Sequence, residues 1–348
     1  MDKHGLFIAA MLDSASKAYA AGVASRVLDA RPDDETIAFS ELSEEAELRL
    51  RLLAEAAAAG RPALFAYEMR WMRHLYDSRG KDWRLLDLEL QSIESELAER
   101  LPPTGPEGFV SSFIAAARDE LGVERPLPAP MDFSAATHGK LAESYLEAIL
   151  EGRTDDAIAE VTQAADGGVP IEELHDCVIV PVQREIGRRW HLGDLHISEE
   201  HLGTRTTAEL IGLLRTRIPR PEPGARKVLA AGPSGSHHDI GLQMAADRLR
   251  LAGWAPIVLG ADTPPDDFAR AATRHDASLV AVSMPMTLNF RQTYAAINTV
   301  KSMCDTPIVV GGAPLGVVED LWEILGADAG APHASDVVAA ADRAINGG

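Results

Sequence analysis

Apolar and polar positions follow three successive rhythms along the chain. Over residues 1–123 the apolar positions recur at helical spacing, and the candidate helices are 5–29, 43–59, 62–79, 82–100 and 107–121. Ala, Leu, Glu and Arg abound there while β-branched residues are sparse, as helix propensity favours. Gly60-Arg61-Pro62 and Thr104-Gly105-Pro106 read as joints, because proline is tolerated in a first helical turn. This block is predicted to be an all-α domain. Residues 133–218 remain helical, with apolar stripes on 135–151, 154–167, 171–189 and 199–217, and short joints between them predict a four-helix bundle. From residue 226 short apolar runs alternate with helical stretches. The runs 227–232, 255–259, 278–283 and 307–310, with a short fifth near 327–331, read as strands. The helices between and after them are 238–251, 265–275, 289–302, 316–325 and 334–345. Continuous apolar strands separated by helices mean a parallel sheet covered on both faces, here a flavodoxin-like (Rossmann-like) α/β domain. Ligands of such domains sit at the carboxyl ends of the strands.

Two proline-rich stretches, 124–132 and 218–224, punctuate the chain as extended linkers. The expected domains are therefore 1–123, 133–218 and 226–348. Composition narrows what they do. Asp and Glu number 53 against 33 Lys and Arg, a formal net charge of −20, which repels phosphate backbones and argues against direct nucleic-acid binding. The only cysteines are Cys177 and Cys304, which excludes a disulfide scaffold and a Cys-rich zinc or iron–sulfur site. No apolar run approaches the ~18 residues of a membrane helix. The apolar start of the chain is interrupted at Asp13 and Lys17, so it reads as an amphipathic helix rather than a leader, and a cytoplasmic protein is expected. Six of the eleven histidines fall between His175 and His238.

Candidate chemistry gathers at the predicted strand ends. The loop after the first strand, Gly232-Pro-Ser-Gly-Ser-His-His-Asp-Ile-Gly241, lacks the Gly-x-Gly-x-x-Gly of a dinucleotide site. Its paired histidines could cap the following helix, face solvent or meet a ligand. Ser283 ends the third strand, and Gly311-Gly312 follows the fourth, where absent side chains admit close backbone approach. No His-Glu-x-x-His or paired-Cys spacing supports zinc.

In this order the elements resemble a cobalamin-binding domain, whose pattern is Asp-x-His-x-x-Gly, Ser-x-Leu and Gly-Gly. His238 and Gly241, Ser283, and Gly311 with Gly312 match; Ser236 stands where the acidic residue is expected and Pro285 where Leu is. The resemblance implies that His238 is the lower axial ligand of cobalt. Ser236, Asp239, Gly241, Ser283, Gly311 and Gly312 would line the rest of the lower site. Within the helical block, Trp190, nine residues, then Glu200-His201 is similar to the cap of light-sensing cobalamin proteins. There the aromatic ring covers an adenosyl group, with Glu200 and His201 beside it. His191, next to Trp190, is then the candidate upper cobalt ligand after photolysis.

The first block occupies the slot that holds a DNA-binding domain in related repressors, but it has no basic recognition helix. Tyr67, Arg70, Trp71 and His74 fall at helical neighbour spacing and mix rings with cations. They suit either an ordinary packed helix or a flat anionic chromophore. The order of blocks resembles photocobilins, which implies noncovalent biliverdin beside adenosylcobalamin; residues 1–123 contain no Cys. The expected function is a non-enzymatic, cobalamin-dependent light sensor with no catalytic residues, whose photolysis alters bundle packing and self-association. A light-dependent homo-oligomer and a further protein partner are expected, with no nucleic acid and no membrane. The alternatives are a corrinoid protein shuttling methyl groups for a methyltransferase, and a module whose first block binds a partner protein.

Overall fold

The computed structural model describes residues 2–32, 38–101 and 108–347. They form two compact units. The first comprises 1–127 together with 286–294 and 313–326, and the second comprises 128–285, 295–312 and 327–348. The expected joint at Thr104–Pro106 lies outside the described residues.

The first unit is built on α1 (Lys3–Ser14), α2 (Ser16–Ala30), α3 (Phe39–Ala59), α4 (Pro62–Ser78), α5 (Arg84–Arg100) and α6 (Phe109–Gly122). The helix expected over 5–29 is two helices, because Ala15 leaves the helical region at φ −144° and ψ 29°. Pro62 opens α4 at its first turn, and Gly60 ends α3 in the left-handed region at φ 65°. Helices α1 and α3 approach so closely at Gly5 that a Cβ there would lie 1.7 Å from the Ala57 carbonyl oxygen.

This unit does not end where the chain-wise blocks end. The segments after the third and fourth strands are held in it by charge pairs and a hydroxyl–carboxylate hydrogen bond. The Glu55 carboxylate accepts from the Arg291 backbone N–H and Nε, both at 2.9 Å, and Thr287 Oγ1 donates to Glu68 at 2.6 Å. Arg61 pairs with Asp320. Such pairs join residues 219 to 259 positions apart, a range that helical or strand periodicity does not encode.

The second unit starts with α7 (Gly139–Leu150), α8 (Thr154–Asp166), α9 (Ile171–Leu174), a π-helical turn His175–Ile179, α10 (Val180–Leu192) and α11 (Ile197–Arg215). The helix expected over 171–189 thus runs to Leu192 and changes winding on the way. Along the chain the sheet then follows: β1 (Lys227–Pro233), α12 (Ile240–Leu251), β2 (Ala255–Thr263), α13 (Pro265–His275), β3 (Leu279–Ser283), α14 (Phe290–Met303, its first residues in the first unit), β4 (Ile308–Gly311), α15 (Leu321–Leu325, in the first unit), β5 (Ala329–Ala331) and α16 (Val337–Asn346). All pairings are parallel, in the order β2-β1-β3-β4-β5. This is the flavodoxin-like order, with its switch point between β1 and β3. Val228, Ala230, Leu279, Ala281 and Val309 are buried among Leu242, Leu249, Val337 and Ala341 of the covering helices.

Candidate functional site

At the carboxyl end of β1 the chain makes a tight turn, Pro233-Ser234-Gly235-Ser236, closed by Ser236 N–H donating to the Pro233 carbonyl at 3.1 Å. Gly235 has φ +77°, which a third turn position of this kind requires and which costs glycine nothing. Beyond the turn Ser236 is buried, His237 and His238 are exposed, and Asp239 precedes α12 without a capping hydrogen bond from its side chain. His238 is therefore presented on the loop rather than inside the helix expected from residue 238. Asp239 does not serve it: its Oδ2 accepts from Gln243 Nε2 at 2.9 Å.

Several features of this loop leave room for a partner outside the chain. Ser236 is 2% exposed and its Oγ has no hydrogen-bond partner, a cost of about 1–3 kcal/mol for a buried hydroxyl left unmet. At Gly241, three residues past His238, a Cβ would meet nothing within 4 Å, so nothing in the chain requires its absence. The glycine pair after β4 has a different explanation. A Cβ on Gly311 would lie 2.8 Å from the Ala331 carbonyl oxygen, and one on Gly312, at φ +132°, only 1.9 Å from the Met284 carbonyl oxygen. Close approach of neighbouring backbone already demands both glycines, with Met284 N–H donating to Gly311 O at 2.7 Å. Ser283 stands half-buried at the end of β3, paired in register with Gly311.

In the helical part of this unit, Trp190 lies in the last turn of α10 and is 44% exposed, a large apolar surface left to water. His191 beside it is half-buried. Gly193, at φ +84°, reverses the chain, and His196 opens α11 with its N–H donating to Glu199 Oε2 at 2.8 Å. This brings the Trp–Glu–His spacing onto two consecutive helix ends. Glu200 Oε2 contacts His201 Nδ1 at 2.8 Å, and its Oε1 accepts from Thr204 at 2.8 Å. The His201 side chain is 71% exposed. Helix α10 is anchored from below by Glu185, which is 2% exposed. Burial alone would raise its pKa, but hydrogen bonds from Arg188, Arg189 and the Met131 N–H outweigh that and hold it at about 2.

The remaining crowded histidines divide by burial. His175 is fully buried, whereas His196 and His237 are exposed. Among the described residues no group of three or more His, Cys, Asp or Glu is gathered as a metal cage requires. The residues present suit a cofactor that brings its own metal and takes a single axial imidazole: an exposed His238, an unmet buried hydroxyl at Ser236, open space at Gly241 and an uncovered indole at Trp190.

In the first unit, Tyr67, Arg70, Trp71 and His74 line one stripe of α4. Trp71 stands edge-to-face with Tyr67 at 6.4 Å and with His74 at 6.2 Å, and Arg70 lies 5.0 Å over the Tyr67 ring. Arg70 also lies 3.5 Å from Glu120. His74 Nδ1 is sealed without a hydrogen-bond partner, and burial together with Arg70 lowers its pKa.

Sequence reasoning missed two acids near the second unit's sites. Asp262, at the end of β2, accepts from the Gly235 N–H at 2.8 Å. Asp247, on α12, is 1% exposed and lies 3.9 Å from His175. An acid inside a helical stripe was the available signal for Asp247; for Asp262 there was none, because its role arises from strand pairing.

Comparison with known proteins bears on both parts of this site. Residues 226–342, and separately residues 141–215, match family models described as B12 binding domain. The HTH-type transcriptional repressor CarA of Myxococcus xanthus is 27% identical over 288 residues, 80% of this chain and 90% of the repressor. The dimethylamine corrinoid protein of Methanosarcina barkeri is 25% identical over 208 residues, 58% of this chain and 96% of that protein. The solved structure of the Methanosarcina barkeri monomethylamine corrinoid protein superposes with a TM-score of 0.52 over 61% of this chain and 100% of its own, at 19% identity, which shows a shared fold. The chain thus carries two segments of B12-binding type, one in helices α7–α11 and one in the sheet, and a corrinoid is the cofactor class they indicate. No helix among the described residues is long and apolar enough to cross a membrane.

Proposed function

We propose that the protein is a cobalamin-dependent light sensor. The observation that carries this reading is the pairing, within one unit of B12-binding type, of a presented His238 with an uncovered Trp190 followed by Glu200-His201. His238 would hold the cofactor through an imidazole nitrogen, and Ser236 Oγ, unmet within the chain, would be free to hydrogen-bond to the ring or to the cofactor. Trp190 covers the upper ligand and excludes water, and Glu200 accepts from its hydroxyls. Bound adenosylcobalamin supplies a cobalt–carbon bond that visible light cleaves. With the adenosyl group gone, the Trp190 indole would lose a surface it covers, His191 beside it would be the imidazole nearest in sequence to bind the metal, and helix α10 would repack. A two-state element biased by a ligand in this way needs no catalytic residue. The net charge of −20 supports an output through protein surfaces, a change of self-association or of partner, rather than through DNA. The reading includes a second chromophore on α4, where Tyr67, Trp71 and His74 offer ring edges and Arg70 a cation for the carboxylates of noncovalent biliverdin.

The test is to load the protein with adenosylcobalamin in the dark, illuminate it, and follow absorption and mass in solution, with and without biliverdin. A spectral change accompanied by a change of mass supports the reading. A light-stable complex of constant mass overturns it. The similarity to methylamine corrinoid proteins favours one alternative, a corrinoid methyl carrier. Transfer of a methyl group from methylcobalamin on this protein to a partner methyltransferase in the dark would establish that alternative.

A further inference from the structure

Strand β2 lies at the edge of the sheet and pairs only with β1, yet its pairing is irregular where it passes the His238 loop. Ala230 pairs with Val258, Ala231 with Gly260 and Pro233 with Thr263. One residue is therefore inserted in β2 before Gly260 and another before Thr263. Two bulges in succession bend and overtwist a strand and re-aim its side chains. Here they carry Asp262 into the left-handed region, at φ +54°. A non-glycine residue there is held at a cost of about 1 kcal/mol, and Asp is among the few types that tolerate it. Parallel pairing gains nothing from the distortion. With the strand so bent, Asp262 Oδ1 accepts from the N–H of Gly235 at 2.8 Å. Next to it Ser234 Oγ donates to the Thr263 carbonyl at 3.4 Å. The end of β2 thus grips both central residues of the turn that leads to Ser236, His237 and His238.

We propose that Asp262 is a positioning residue for His238. This rests on the reading of His238 as the axial ligand. Ser236, where the resembled family has an acid, offers a buried hydroxyl that makes no hydrogen bond within the chain, so its side chain does not tie down the loop. The acid that does so comes from the neighbouring strand, and it acts on the loop backbone three residues before His238 rather than on the imidazole. Asp262 fixes the path of the loop and leaves both ring nitrogens of His238 to the cofactor and to solvent.

The full-length protein is compared with Asp262→Gly, which removes the acceptor without strain at positive φ, and with Asp262→Asn, which keeps an acceptor oxygen and tolerates the same backbone. Three measurements are made in the dark: hydroxocobalamin affinity by absorption titration, the axial-nitrogen splitting in the electron paramagnetic resonance spectrum of the cob(II)alamin complex, and hydrogen exchange at the Gly235 amide without cofactor. Losing one net hydrogen bond that orders the loop should weaken binding about five-fold. Asp262→Gly is thus expected to bind about five-fold more weakly, to show a reduced nitrogen-split fraction and to exchange Gly235 faster, with Asp262→Asn restoring all three. If the wild-type protein binds with axial nitrogen and Asp262→Gly matches it in affinity and spectrum, the positioning role is overturned while the axial reading stands. If the wild-type complex shows no nitrogen splitting, the axial reading fails and this inference fails with it.

Discussion

The imidazole of His175 and the carboxylate of Asp247 lie 3.9 Å apart, with side chains 0% and 1% exposed. Neither ring nitrogen of His175 and not Asp247 Oδ2 has a hydrogen-bond partner. His175 opens the π-helical turn ahead of α10, Asp247 sits on α12, and Arg215 of α11 pairs with Asp247. π-Turns of this kind recur at functional sites. The arrangement links the helix bearing Trp190 to the helix that His238 precedes.

Burial, reinforced by Arg248, lowers the His175 pKa to about 4. The native state therefore refuses a proton that the unfolded chain accepts from about pH 6.5 downward. This contribution to stability is complete above pH 6.5 and is lost as the pH falls towards 4, up to about 3 kcal/mol. Asp247 works in the other direction, since burial, only partly offset by Arg215, raises its pKa. Urea unfolding at pH 7 and pH 5 should show a clear loss for the wild-type protein and a smaller one for His175→Phe. Equal losses in both would show that the acid sensitivity arises elsewhere.

Arg49 and Glu89 form the corresponding pair in the first unit, 2.7 Å apart and 2% and 0% exposed. Burial raises Glu89 to about pH 7 against the pull of Arg49. Here the native state holds a proton that the unfolded chain releases above about pH 4.5, so this contribution declines as the pH rises from 4.5 to 7. Glu89→Gln should flatten that decline. Arg49→Met should destabilise by about 3–5 kcal/mol at pH 8, because it strands a buried carboxylate. Denaturation midpoints at pH 4.5 and pH 8 check both.

Two glycines of the candidate site should behave oppositely. Gly312→Ala forces a Cβ to 1.9 Å from the Met284 carbonyl oxygen at φ +132°, and should cost more than about 2 kcal/mol and lower the melting temperature of the cofactor-free protein. Gly241→Ala meets nothing within 4 Å in the first turn of α12 and should leave that temperature unchanged or slightly raised. Under the proposed function it should nevertheless weaken cobalamin binding, because the added methyl occupies the space beside His238. Calorimetry and absorption titration of both variants separate the two effects.

Trp190 and His191 are adjacent in sequence yet should fail differently. Trp190→Ala removes a side chain that is 44% exposed, so the cofactor-free protein should lose about 1–3 kcal/mol, less than for a fully buried indole, while the adenosyl complex should lose its upper ligand faster in the dark. His191→Ala should bind in the dark as the wild-type protein does and change only the spectrum after illumination. Time courses of absorption in darkness and after a light pulse test the pair; identical photoproducts would remove His191 from the upper position.

Much of this was legible along the chain. Strands β1, β3 and β4 are unbroken apolar runs flanked by helices, and such patterns are local: a few consecutive residues specify both the period and the burial. The loop to His238 and the Trp190 to His201 spacing could be read for the same reason. Helix interruptions were less legible. The break at Ala15 and the π-turn at His175 leave the apolar stripe continuous on either side, so periodicity does not reveal them.

By itself the sequence determined the all-helical start, the parallel sheet and the acidic balance of charge, because each follows from residue type and near-neighbour spacing; that His238 stands exposed on the loop came from the structure. Only the tertiary structure decided which distant residues serve them. It brought Arg291 to Glu55 and Asp262 to Gly235, sealed His175 against Asp247, and showed that Gly311 and Gly312 answer first to the backbone beside them. Those relations depend on strand register, bulges and helix packing, which juxtapose residues far apart in the chain and leave no periodic trace in it.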